Sequence, residues 1–143
     1  MPIRDCPLTI NDGDSLVAYL PVTIVNPHTG KVLKANALVD TGSDECCSIP
    51  ISVAKILGHK LEKGDKRRTI TGNGEGDGWA HTTKISIHHP ESEDVIFTIS
   101  ESLINFMDVP WVVLGVIGFL EYFKLTMNYP KKNFSLTRPF VGP

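Results

Sequence analysis

The chain has 143 residues, which suits one domain spanning 1–143, and its 41% hydrophobic content is enough to build a core. A formal net charge of −2 and a pI near 6.2 argue against a nucleic-acid surface, which is normally basic. No run approaches the length of a transmembrane helix, and the start, Met1-Pro2-Ile3-Arg4-Asp5, lacks the charged-then-apolar pattern of a secretory signal. The expectation is a soluble protein in a reducing, cytoplasmic setting, with no membrane partner.

In chain order, Leu16 to Val25 is rich in β-branched and apolar residues and reads as a strand. Pro27-His28-Thr29-Gly30 is a turn, and Lys31 to Val39 returns as a second strand. That hairpin ends in Ala37-Leu38-Val39 and delivers Asp40-Thr41-Gly42, followed by Ser43-Asp44-Glu45. Cys46 to Ile49 is a short strand leaving this loop, and Pro50 to Gly58 a short helix with glycine as its stop. Thr69-Ile70-Thr71 and Thr82 to His88 alternate as strands, and Gly72, Gly74, Gly76 and Gly78 punctuate the connection between them. Lys63, Lys66, Arg67 and Arg68 form a solvated basic approach to that connection. His89 to Asp94 is a polar turn, Val95 to Ile99 a strand, and Ser100 to Val109 reads as a loop bordering a groove. Val112-Val113-Leu114-Gly115 is an apolar strand closed by glycine, Val116 to Phe123 a short helix, and Leu125 to Asn128 with Phe134 to Leu136 a hairpin. Many short strands with one or two short helices make a mainly β domain. There is no internal repeat and no linker.

The tripeptide Asp40-Thr41-Gly42 occurs by chance in roughly 3% of chains of this size, so its setting matters more than its presence. An Asp-Thr-Gly strand end, a Gly-rich hairpin, an apolar-apolar-Gly strand and a short helix follow in that order. From about Leu16 to Leu136 the chain resembles the retropepsin-like family of aspartic peptidases. The resemblance implies a closed, barrel-like single lobe with a flap hairpin. It also implies that one triplet per chain serves a homodimer, in which each protomer gives one Asp40 to a shared dyad.

The chemistry such a site needs is two carboxylates sharing a proton, because like charges that close cannot both ionise. Asp40 is the catalytic candidate; the alternative is an ordinary turn aspartate. By the resemblance, Thr41 would bond across the dimer and Gly42 would allow close backbone approach. Asp44 would contact substrate amides, or else serve only the turn. Gly72, Gly74 and Gly76 would form a mobile flap over substrate, and Val113 and Ile117 would line an apolar groove. Retroviral members place an arginine after the apolar-apolar-Gly strand to support the second aspartate. Here Val116 follows Gly115, leaving Arg4 or Arg138 as candidates for that support. Retroviral members also interleave their chain ends at the dimer interface, and Phe134 to Pro143 extends far enough to build that interface or to cover its edge.

The implied activity is endopeptidase cleavage of an extended peptide, with no cofactor. The rival is a non-catalytic peptide-binding or assembly module on the same fold; a third reading is a monomeric β domain carrying a chance triplet. Three cysteines, Cys6, Cys46 and Cys47, do not suggest a disulfide framework, and of the adjacent pair one is expected in the core. His81, His88 and His89 lack zinc-ligand spacing, so no metal site is expected. A phosphate-binding loop is not supported at Gly78, because neither Lys-Ser nor Lys-Thr follows.

Overall fold

The computed structural model describes residues 2–11, 13–71 and 74–139, with the backbone alone at 70 and 71. The elements in order are β1 (Ile3–Pro7), β2 (Thr9–Ile10), β3 (Leu16–Val17), β4 (Tyr19–Val25), β5 (Val32–Val39), β6 (Cys47–Pro50) and α1 (Ile51–Ile56). After a 3-10 turn at Leu61–Lys63 come β7 (Asp65–Thr71), β8 (Gly74–His88), β9 (Val95–Met107) and β10 (Val113–Leu114). A second 3-10 turn at Leu120–Tyr122 leads to β11 (Lys124–Asn128) and β12 (Asn133–Thr137).

The main sheet runs β4-β5-β10-β6-β9-β8-β7, and β4 also pairs with β8. Six strands therefore close into a ring, and β7 hangs from β8 outside it. The ring closes because its inner faces are apolar at period two. Along β4, Leu20, Val22 and Ile24 point inward and are buried, while their neighbours are half-buried. The β4–β5 turn is fixed by Asn26, whose side-chain oxygen accepts the His28 N–H at 2.9 Å, and by Gly30 at φ +73°. A second, three-stranded sheet, β1-β12-β11, packs on the ring through Ile3, Phe134 and Leu136, which join Phe106, Leu114 and Phe119 in one core.

Three segments differ from the sequence expectation. Val116 to Phe123 is not an α-helix but a turn followed by the short 3-10 segment. Gly118 sits at φ +92° and Phe119 at φ −138°, and the N–H groups of Val116 and Ile117 are taken by another loop. Ser100 to Met107 continues β9 rather than forming a loop. Its pattern hides this, because Ile104, Asn105, Phe106 and Met107 are all buried in succession. The glycine-rich stretch is not all connection, since Gly74, Gly76 and Gly78 lie on β8, paired with Thr71, Thr69 and Arg67. Phe134 to Leu136 pairs with β11 in the expected hairpin, and its other side is taken by an N-terminal strand, β1, that has no clear sequence signal. Residues 140–143 lie outside the described residues.

Candidate active site

The site begins with an inserted strand. β10 lies between β5 and β6, parallel to the first and antiparallel to the second. The chain leaving β5 at Val39 must therefore cross the end of β10 before it enters β6 at Cys47. The crossing segment is the loop that carries Asp40. It is held on both sides by backbone hydrogen bonds. On the near side, Asp40 N–H donates to the Leu114 carbonyl at 2.9 Å. On the far side, Gly115 N–H donates to Cys46 O at 3.0 Å, Val116 N–H to Ser43 O at 2.8 Å and Ile117 N–H to Asp44 O at 3.0 Å. Gly115 is obligatory here, as a Cβ would overlap the Glu45 carbonyl oxygen and come within 2.6 Å of Ser43 O.

The Asp40 carboxylate is half-buried, and its Oδ1 accepts the Gly42 N–H at 2.8 Å. It opens on a cavity of about 620 Å³. Asp40, Gly42 and Asp44 line that cavity, and Val113 forms part of its apolar wall. Thr41 is exposed at the loop tip beside it. Gly74 and Gly76 are exposed on the β7–β8 hairpin and do not line the cavity; Gly72 lies outside the described residues. Ile117 does not join Val113 either. It is 63% exposed and lines a neighbouring cavity with Asp44.

Several lining residues were not singled out in the sequence. Glu45 is one: its carboxylate accepts Ser48 Oγ at 2.9 Å and Asn105 Nδ2 at 3.4 Å, so it is tied to the wall. Met107 and Val109 line the cavity at the end of β9, where the sequence reading had placed a groove border. Arg68 and Thr69 line it from β7, so the hairpin forms part of the cavity wall. The hairpin's register is marked by exposed cross-strand pairs, Arg68–Glu75 at 2.9 Å and Lys66–Asp77 at 3.6 Å, which individually add little stability.

Asp44 receives no arginine from the strand after Gly115. Arg138 is committed elsewhere, with its guanidinium 5.5 Å from the Phe97 ring centre and 5.6 Å from that of Phe123. The loop bearing Asp44 is instead supported by the backbone donors of Val116 and Ile117. The nearby thiols are not poised for nucleophilic work, because burial holds Cys46 above its ordinary value and Cys47 well above it. Among the described residues no group of three or more His, Cys, Asp or Glu side chains is arranged to hold a metal ion.

No family model matches the chain, and no curated protein matches it. Among solved structures it is similar to a retropepsin-like aspartic protease from Rickettsia conorii. The identity is 20% over 94% of this chain and 98% of that one, with a TM-score of 0.60. At that identity the likeness carries the fold: the chain is mainly β and has the retropepsin-like architecture.

Proposed function

We propose that the chain is an aspartic endopeptidase that works as a homodimer. The observation that carries this reading is the placement of Asp40. It stands at the tip of a loop pinned across the end of β10, with its carboxylate opening on a 620 Å³ cavity that Arg68 and Thr69 of the β7–β8 hairpin help to wall. One chain supplies one such loop, so a dyad needs a second copy related by two-fold symmetry. In the dimer the two Asp40 carboxylates share one proton. The ionised member takes a proton from a water molecule as that water attacks the scissile carbonyl carbon. The protonated member gives its proton to the carbonyl oxygen, forming a neutral gem-diol. Collapse of the gem-diol breaks the C–N bond, with a proton delivered to the leaving nitrogen. The exposed Thr41 supports its counterpart across the interface, and Gly42 and Asp44 contact the substrate main chain. Gly74 and Gly76 lower the cost of bending the hairpin as it closes as a flap.

The test is Asp40→Asn. Peptide cleavage by the variant falls to background, while the fold and the dimer persist, since asparagine is nearly isosteric and removes a like-charge repulsion. Cleavage at the wild-type rate would remove Asp40 from the mechanism. A non-catalytic peptide-binding module on the same fold is the second reading. It is favoured by the absence of a cation beside Asp44 from the Gly115 strand, and it takes over if neither protein cuts but both bind extended peptides.

A further inference from the structure

A second cavity, of about 340 Å³, adjoins the first and shares Asp44 and Glu45 with it; Arg67, Leu103, Asn105 and Ile117 complete the wall that matters here. Asn105 is 2% exposed, and its Oδ1 is the buried side-chain polar atom left without a partner among the described residues. A buried, unpaired acceptor is destabilising. The Asn105 amide nitrogen is already used, donating to Glu45 Oε1 at 3.4 Å. Beside the Cys46 and Cys47 thiols, the oxygen groups of this wall are the Asp44 and Glu45 carboxylates and the Asn105 amide oxygen, all acceptors, and the group that matches those oxygens is one that only donates.

Arg67 is such a group. It sits on β7 directly opposite Gly78 in the hairpin ladder, and opposed residues share a face. At Gly78 a Cβ would overlap the Asn105 side chain, so the bare position opposite Arg67 is the one that abuts Asn105. The present partner of Arg67 holds it weakly. Asp65 Oδ2 is 3.7 Å from its Nη2, with the two side chains 66% and 41% exposed.

We propose that Arg67 is the latch of the β7–β8 hairpin. As the hairpin closes, its guanidinium leaves Asp65, enters the 340 Å³ cavity and donates to Asn105 Oδ1 and the Glu45 carboxylate. Arg67 is then a positioning residue. It fixes the hairpin over the Asp40 loop and brings a cation beside Asp44 from the lid. This rests on reading the hairpin as the lid of a peptide site and names the residue that closes it.

The experiment is hydrogen exchange on the unliganded full chain, reading the hairpin amides of β7 and residues 74–80 relative to those of Ile85 and Ile87 in the ring. Arg67→Gln speeds hairpin exchange about tenfold, the scale of one lost charge-assisted bond. Asp65→Asn slows it, by removing the competing partner. Glu45→Gln added to Arg67→Gln gives no further increase. Unchanged exchange in Arg67→Gln, faster exchange in Asp65→Asn, or full additivity of the Arg67 and Glu45 substitutions would each overturn the latch. Cleavage is not part of the readout, so the result stands even if the chain proves catalytically silent.

Discussion

At Gly115 the Asp40 loop and the end of β10 approach so closely that no side chain fits between them, and an alanine there must push the loop off the strand. Gly115→Ala is expected to cost ~3 kcal/mol or more, measured by urea unfolding, because the neighbours it meets are backbone oxygens that cannot swing aside. A second residue-scale prediction concerns His59. Its ring lies against that of His81, tilted by 30° at 4.6 Å between centres, and its two nitrogens lie 3.3 Å from Asn26 Nδ2 and from Thr83 Oγ1. Burial first, then the neighbouring His81 and His28, lower its pKa to about 4. With the folded value below the unfolded 6.5, the unfolded chain binds the proton more readily. Stability is therefore full above about pH 6.5 and is lost as pH falls towards about 4. After allowance for partial exposure, the wild type should lose on the order of 1 kcal/mol more than His59→Gln between pH 7 and pH 4 in urea titrations. An equal loss in both proteins would contradict this.

At the scale of elements, the β7–β8 hairpin projects from a closed ring and carries three glycines on β8, so its free energy of local opening should be the lowest of any strand pair in the main sheet. Its amides should exchange fastest in the free protein and slow on binding a peptide-like inhibitor; equal protection in both states would remove the lid role. The same elements show what the sequence carried and what it did not. The β4–β5 hairpin, the Asp40 loop, α1 and the β11–β12 hairpin are written in local signals: alternation, an Asx-type turn, a glycine stop. The far half of β9 and the strand β1 are not. The first is buried at four successive positions, which erases alternation, and the second is polar and short, with a register shift between Ile3 and Cys6 and Asp5 at φ 50°. Asp40 could be read as a site candidate because it ends an apolar run at a tight turn, and Gly42, Asp44 and Val113 through the resemblance to the retropepsin-like family. Glu45, Asn105 and Arg67 could not, because their importance lies in contacts and cavities between residues tens of positions apart.

At the scale of the whole molecule, the first and last described strands are used within the chain: β1 pairs with β12, and β12 with β11. The edges of that small sheet are β1 and β11, and the Asp40 loop presents Thr41 to solvent on the ring. No helix among the described residues is long and apolar enough to cross a membrane. If each chain supplies half of one catalytic site, specific activity per chain should rise with protein concentration and then plateau, with sedimentation showing the dimer over the same range; a fully active monomer would exclude the shared dyad. The most direct measurement mixes wild type with Asp40→Asn at concentrations where all chains are dimeric and follows peptide cleavage at acid pH. Random pairing of equal amounts leaves about one quarter of the dimers with two aspartates. With a shared dyad, activity follows the square of the wild-type fraction. Activity falling in simple proportion to that fraction, or not falling at all, would contradict a dyad built from Asp40 of two chains.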